Sequence, residues 1–101
     1  MAKLTARLFP VVAARFKVLA EPARLRILDA LRGGERSVGE LGAQTALSQA
    51  DLSKHLQLLH RAGFVIRRKE GLFVYYQLAG REVFDLCDIM CGAIASRRRR
   101  R

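Results

Sequence analysis

The sequence predicts a mainly α domain carrying one small β-hairpin, with elements in the order ααααββα, and three observations carry that expectation. Residues 37–63 contain two Ser-x-x-acid helix starts, Ser37 with Glu40 and Ser48 with Asp51, separated only by a short turn at Thr45-Ala46-Leu47. Residues 65–78 place strand formers on both sides of Glu70-Gly71-Leu72, as a hairpin requires. Helical apolar periodicity then returns over residues 81–96. Two close helices, a hairpin and a closing helix make a winged helix-turn-helix (α+β). It is expected to fill residues 1–96 as a single domain, with residues 97–101 as a basic tail.

In chain order, the first helix should end near Ala20, with Pro10 close to its start; residues 1–9 are the least defined. Pro22 suits the first position of a second helix, and Gly33-Gly34 suits its stop. The helix-turn-helix follows. At about 100° per residue, Leu52, Leu56 and Leu59 fall on one stripe of its second helix, facing a core. Ser53, Lys54, Gln57 and Arg61 fall roughly opposite, with Gln49 at the leading end, and no acid interrupts that face after Asp51. Such side chains donate to base edges or phosphates, so this face is the candidate reader of a DNA major groove. A solvated amphipathic helix is the plain alternative.

In the hairpin, Ile66, Val74, Tyr76 and Leu78 are expected to share the inner face. Arg67 and Lys69 then share the outer one, and Arg68 falls inward unless the ribbon twists. A basic ribbon beside a recognition helix reaches flanking phosphates or the adjacent minor groove. The combination favours DNA over a merely stabilising hairpin.

Leu19-Ala20-Glu21-Pro22-Ala23-Arg24-Leu25-Arg26-Ile27-Leu28 resembles the opening motif of the ArsR/SmtB family of bacterial winged-helix regulators. Leu47-Ser48-Gln49, Ser53-Lys54-His55-Leu56 and Ala62-Gly63-Phe64-Val65 are similar to that family's helix-turn-helix signature, and Glu70-Gly71 with Val74-Tyr75-Tyr76-Gln77-Leu78 resembles its wing. The resemblance covers most of residues 15–79. It implies a homodimeric DNA-binding transcription factor, usually a repressor, that leaves a double-stranded operator when an inducer is sensed. The helix face and the wing, together with this resemblance, give Gln49, Ser53, Lys54 and Gln57 as the residues expected to face the groove and Ser48, His55, Arg61, Arg67 and Lys69 as those expected mainly on the DNA backbone. His55 matches a family position on the shoulder between buried and exposed faces, where a phosphate contact and a structural hydrogen bond are both open. His60 reads as solvated.

On the last helix, Val83, Cys87, Met90, Cys91 and Ile94 lie within an arc of about 100°, with Asp85, Asp88 and Ser96 across from them. In the resembling family the first and last helices form the dimer interface, which would bring four thiols together. Cys87 and Cys91 are therefore candidate sensor thiols for an oxidant, a reactive sulfur species, arsenite or a thiophilic metal, and no cofactor is otherwise implied. A disulfide within one helix fits poorly, because parallel Cβ vectors disfavour the required torsion. Both cysteines as small packing residues is an equally open reading. The Cys-x-Cys box common among arsenic and cadmium sensors of the family is missing: Arg36-Ser37-Val38-Gly39-Glu40-Leu41 stands in its place. The last helix also lacks the histidines of the family's zinc and nickel sites.

Composition agrees with a polyanionic partner. The 101 residues carry a net charge of +10, and removing the five terminal arginines leaves about +5. No apolar run approaches the roughly 18 residues of a membrane span, so neither secretion nor a membrane is expected, and a cytoplasmic protein would keep both cysteines as thiols. No nucleophile–base pair and no Gly-rich phosphate loop stands out, so enzymatic function is not expected. Two readings of other classes remain: a metal- or redox-handling protein on this fold, and a protein-interaction module.

Overall fold

The computed structural model describes residues 5–100. Five helices and three strands follow in order: α1 (Leu8–Leu19), α2 (Pro22–Ala30), β1 (Arg36–Ser37), α3 (Val38–Thr45), α4 (Gln49–Arg61), β2 (Val65–Glu70), β3 (Phe73–Leu78) and α5 (Glu82–Arg100). The expected helices and hairpin are present; β1 is an addition. It pairs antiparallel with β3 through Arg36↔Tyr76 and Ser37↔Tyr75, giving a sheet ordered β1-β3-β2.

Local chemistry explains the boundaries. Pro10 sits in the first turn of α1, where backbone N–H groups have no helical partner to lose. Pro22 opens α2, and the Glu21 carboxylate accepts the Ala23 N–H at 3.3 Å. Ser37 and Glu40 close the expected capping box: the Ser37 hydroxyl accepts the Glu40 N–H at 3.1 Å, and the Glu40 carboxylate accepts the Ser37 N–H at 2.9 Å. The turn of the helix-turn-helix is made by Ala46 in the left-handed region (φ 59°), a conformation that costs about 1 kcal/mol or more for a residue with a Cβ. Thr45 braces it, donating its hydroxyl to the Leu41 carbonyl at 2.6 Å.

α4 ends on Gly63 (φ 82°), with Phe64 N–H donating to Leu59 C=O and Gly63 N–H to His60 C=O, a Schellman stop. That stop delivers Phe64 and Val65 directly into the core, both 3% exposed. They join Ile27, Leu28 and Leu31 after α2's start, Leu41 of α3, Leu52, Leu56 and Leu59 of α4, Tyr76 of β3 and Val83 of α5. Full burial of each leucine contributes about 1.5–3 kcal/mol.

α5 continues through the arginine run to Arg100, past the Ser96 end expected from sequence; Arg101 of the expected tail lies outside the described residues. Its first turns reach the body: Val83 is buried and Cys87 packs half-buried against the core.

Candidate nucleic-acid interface

α4 is fixed at its start by the Ser48 hydroxyl, which accepts the Asp51 N–H at 3.1 Å. The leucine stripe expected to face the core does so. Gln49, Ser53, Lys54, Gln57, His60 and Arg61 are exposed on the other side, as is Ser48 at the helix's positive end.

The hairpin register differs from the sequence expectation by one residue on β2. Val65 pairs with Leu78, Arg67 with Tyr76, Arg68 with Tyr75 and Lys69 with Val74. Opposed residues share a face, so Val65, Arg67, Lys69, Val74, Tyr76 and Leu78 form the inner side. Ile66, expected inward, is 46% exposed on the outer side, and Arg68 lies outward with it. The cause is the Schellman stop, which spends Val65 as the first inward residue; a one-residue shift exchanges the faces.

This register turns Arg67 toward α4. Gln49, Ser53, Gln57 and His60 line one open cleft of about 430 Å³ with Arg67, Val38, Leu56, Val74 and Tyr76. Two amides, a hydroxyl and a guanidinium thus converge at the edge of the recognition helix. Among the described residues, Lys54, Arg61, Arg67 and Lys69 make no ion pair, so their charge is available to phosphates.

His55 differs from the rest of the expected DNA-binding set in being buried. It is 7% exposed, and its Nδ1 lies 3.0 Å from Arg24 Nη1. Since arginine can only donate, Nδ1 accepts and the ring proton sits on Nε2. Arg24 also donates through Nε to the Val18 carbonyl, so one guanidinium joins the end of α1, α2 and α4. Sequence reasoning missed this role, although Arg24 stands inside the opening motif.

The two cysteines separate. Cys87 packs on the core, whereas Cys91 is exposed one turn further along α5. Leu86, Ile89, Met90 and Ile94 of α5 are exposed as well, with Phe9, Val11 and Phe16 of α1. No three His, Cys, Asp or Glu side chains among the described residues of the protomer gather as a metal site. No described helix is long and apolar enough to cross a membrane.

A family model described as a helix-turn-helix domain matches residues 19–68. Over 83 residues the chain is 41% identical to an uncharacterized HTH-type transcriptional regulator of Mycobacterium tuberculosis, covering 81% of this chain and 73% of that one. Over 71 residues it is 38% identical to a transcriptional repressor, an SmtB homolog of Synechocystis, covering 70% and 54%. Further relatives are named as repressors and as an activator. The solution structure of a homodimeric winged helix-turn-helix DNA-binding domain from Mycobacterium bovis, a possible ArsR-family regulator, superposes with a TM-score of 0.80. It is 34% identical, covering 100% of this chain and 96% of that one.

Proposed function

The chain belongs to the ArsR/SmtB family of winged helix-turn-helix transcriptional regulators, and from that membership we propose that it represses transcription as a homodimer on a double-stranded operator and is released when its α5 thiols react. The observation that carries the DNA contact is the cleft in which Gln49, Ser53 and Gln57 of α4 meet Arg67 of the wing. Gln49, Ser53, Lys54 and Gln57 read the major groove, and Ser48, Arg61, Arg67 and Lys69 hold the backbone. The protein works in the cytoplasm, without a membrane partner and without enzymatic turnover.

The dimer is supported by the apolar side chains left uncovered on α1 and α5. Across a two-fold axis there, Cys87 and Cys91 of two protomers supply four sulfurs. Three thiolates suit a trivalent arsenical and four a tetrahedral soft metal. Alternatively, one thiol from each protomer forms a disulfide, losing two electrons and two protons to an oxidant such as a polysulfide. Cys87 also packs half-buried on the core of its own chain, so a change at these thiols reaches the core through it.

The test is binding to a duplex from the gene's own upstream region, with the protein reduced, oxidised, polysulfide-treated or mixed with arsenite. Tight binding of the reduced form, lost on one treatment, is the expected result. Tight binding indifferent to every treatment assigns the cysteines to packing, and no preference over an unrelated duplex overturns the regulator reading.

A further inference from the structure

Arg68 is a wing cation that the structure ties down. Its guanidinium lies 4.5 Å from the centroid of the Tyr75 ring. Nε donates to Glu35 Oε2 at 3.0 Å and Nη2 to Glu35 Oε1 at 2.8 Å, a two-pronged fork, while Nη1 donates to Glu70. The same bonds hold the Glu35 carboxyl below the usual carboxylate range.

The fork's place in the sheet gives it leverage. In the order β1-β3-β2, the outer strand β2 shares no backbone bond with β1. The Arg68 side chain crosses β3 on top of Tyr75 and grips Glu35, the residue that leads into β1. One cross-sheet row therefore runs from Ser37 through Tyr75 to Arg68, and Ser37 is the N-cap of α3. Since β1 is only two residues long, little other hydrogen bonding ties the hairpin to the helix-turn-helix. An isolated exposed ion pair would contribute little, but a bidentate fork stacked on an aromatic ring within a three-charge network is the arrangement that does contribute.

We propose that the Arg68–Glu35 fork, seated on Tyr75, fixes the angle of the wing against the helix-turn-helix, making Arg68 a positioning residue for operator recognition and not a phosphate contact. This rests on the DNA-binding reading above. It also divides the wing's cations: Arg67 and Lys69 on the inner side contact DNA, and Arg68 on the outer side aims them.

Arg68→Lys is the decisive variant, because it keeps the charge and loses the fork; Arg68→Ala, Glu35→Ala and the exchanged pair Glu35→Arg/Arg68→Glu accompany it. Two readouts are needed: amide hydrogen exchange along β2 without DNA, and affinity for the operator and for an unrelated duplex across a salt series. The fork predicts faster β2 exchange in each single variant. Operator affinity falls about threefold to tenfold, as for residues that act on a site without touching its ligand. Affinity for the unrelated duplex holds, and rises in Glu35→Ala, where a cation is freed. The exchanged pair recovers much of both losses.

A phosphate contact would leave Arg68→Lys near normal, while Arg68→Ala would weaken both duplexes alike and lower the salt slope by about one; that result overturns the proposal. So does unchanged β2 exchange, or faster exchange with unaltered operator affinity. A wild-type protein with no operator preference would instead sink the DNA-binding reading and with it the positioning role, while the exchange data would still decide whether the fork holds the wing.

Discussion

Arg24 Nη1 donates to His55 Nδ1 at 3.0 Å, and this bond pins α2 to the buried side of the recognition helix. Because the same guanidinium donates to the Val18 carbonyl, α1 is held by it too. Arg24→Ala and His55→Ala should each destabilise the fold by about 1–3 kcal/mol, since each leaves a partly buried polar partner unmatched. Thermal melts read the loss. The salt dependence of DNA binding should not change; a normal melt with a salt slope reduced by one would return His55 to the phosphate contacts.

The exposed side of α4 predicts a division between affinity and stability. Gln57→Ala should relax sequence preference and cost about 1–3 kcal/mol of operator binding. Lys54→Ala should also weaken the operator complex, with an unchanged melting temperature. Leu56→Ala, on the opposite face, should cost about 2–5 kcal/mol of fold stability. Unaltered operator affinity in Lys54→Ala at physiological salt would contradict the orientation given to α4.

Acid should loosen the entry to the helix-turn-helix. The Glu40 carboxyl is lowered first by the backbone N–H of Ser37 and then by its hydroxyl, and that of Glu35 by Arg68. A depressed carboxylate contributes stability above the ordinary carboxylate range and loses it as pH falls through the folded-state value. Stability against urea should therefore drop on acidification below that range, and less steeply in Glu40→Gln. Equal slopes in the two proteins would show that Glu40 does not contribute to the acid sensitivity. Ser37→Ala should cost about 1 kcal/mol at neutral pH.

Replacing both cysteines by serine should leave operator binding intact and abolish the response to oxidant, polysulfide or arsenite. Cys87→Ser alone should lower the melting temperature, because its side chain packs on the core, and Cys91→Ser alone should not. A normal response in the double variant would end the sensor proposal.

Ile89 is 72% exposed and Met90 63% exposed on α5. Ile89→Glu should shift the protein toward monomers in sedimentation and weaken operator binding with it. A variant that stays dimeric would move the interface elsewhere.

The helix-turn-helix was legible because its signals are local. A capping serine and an acid three residues later fix a helix start whatever the rest of the chain does, and Ser37 and Ser48 both behave so. The wing's faces were not legible. Val65 and Ile66 are adjacent and both apolar, so alternation cannot choose between them; the Schellman stop at Gly63 chooses. β1 is too short to carry a periodicity, and its pairing depends wholly on Tyr75 and Tyr76 of β3. His55 sits on the edge of the helical stripe, where burial is decided by Arg24, 31 residues away in sequence. Cys87 and Cys91 look equivalent on a helical wheel, yet Cys87 packs against the core and Cys91, one turn further along α5, is exposed.

In the function proposed above, the α4 face and the inner side of the wing read DNA as one surface. Its most direct test is the affinity of the reduced protein for its own upstream duplex against a scrambled duplex, measured across salt for wild type and for Arg67→Ala/Gln57→Ala. A single reading surface predicts a strong wild-type preference that collapses in the double variant while the melting temperature holds. Equal affinity of the wild type for both duplexes would contradict it.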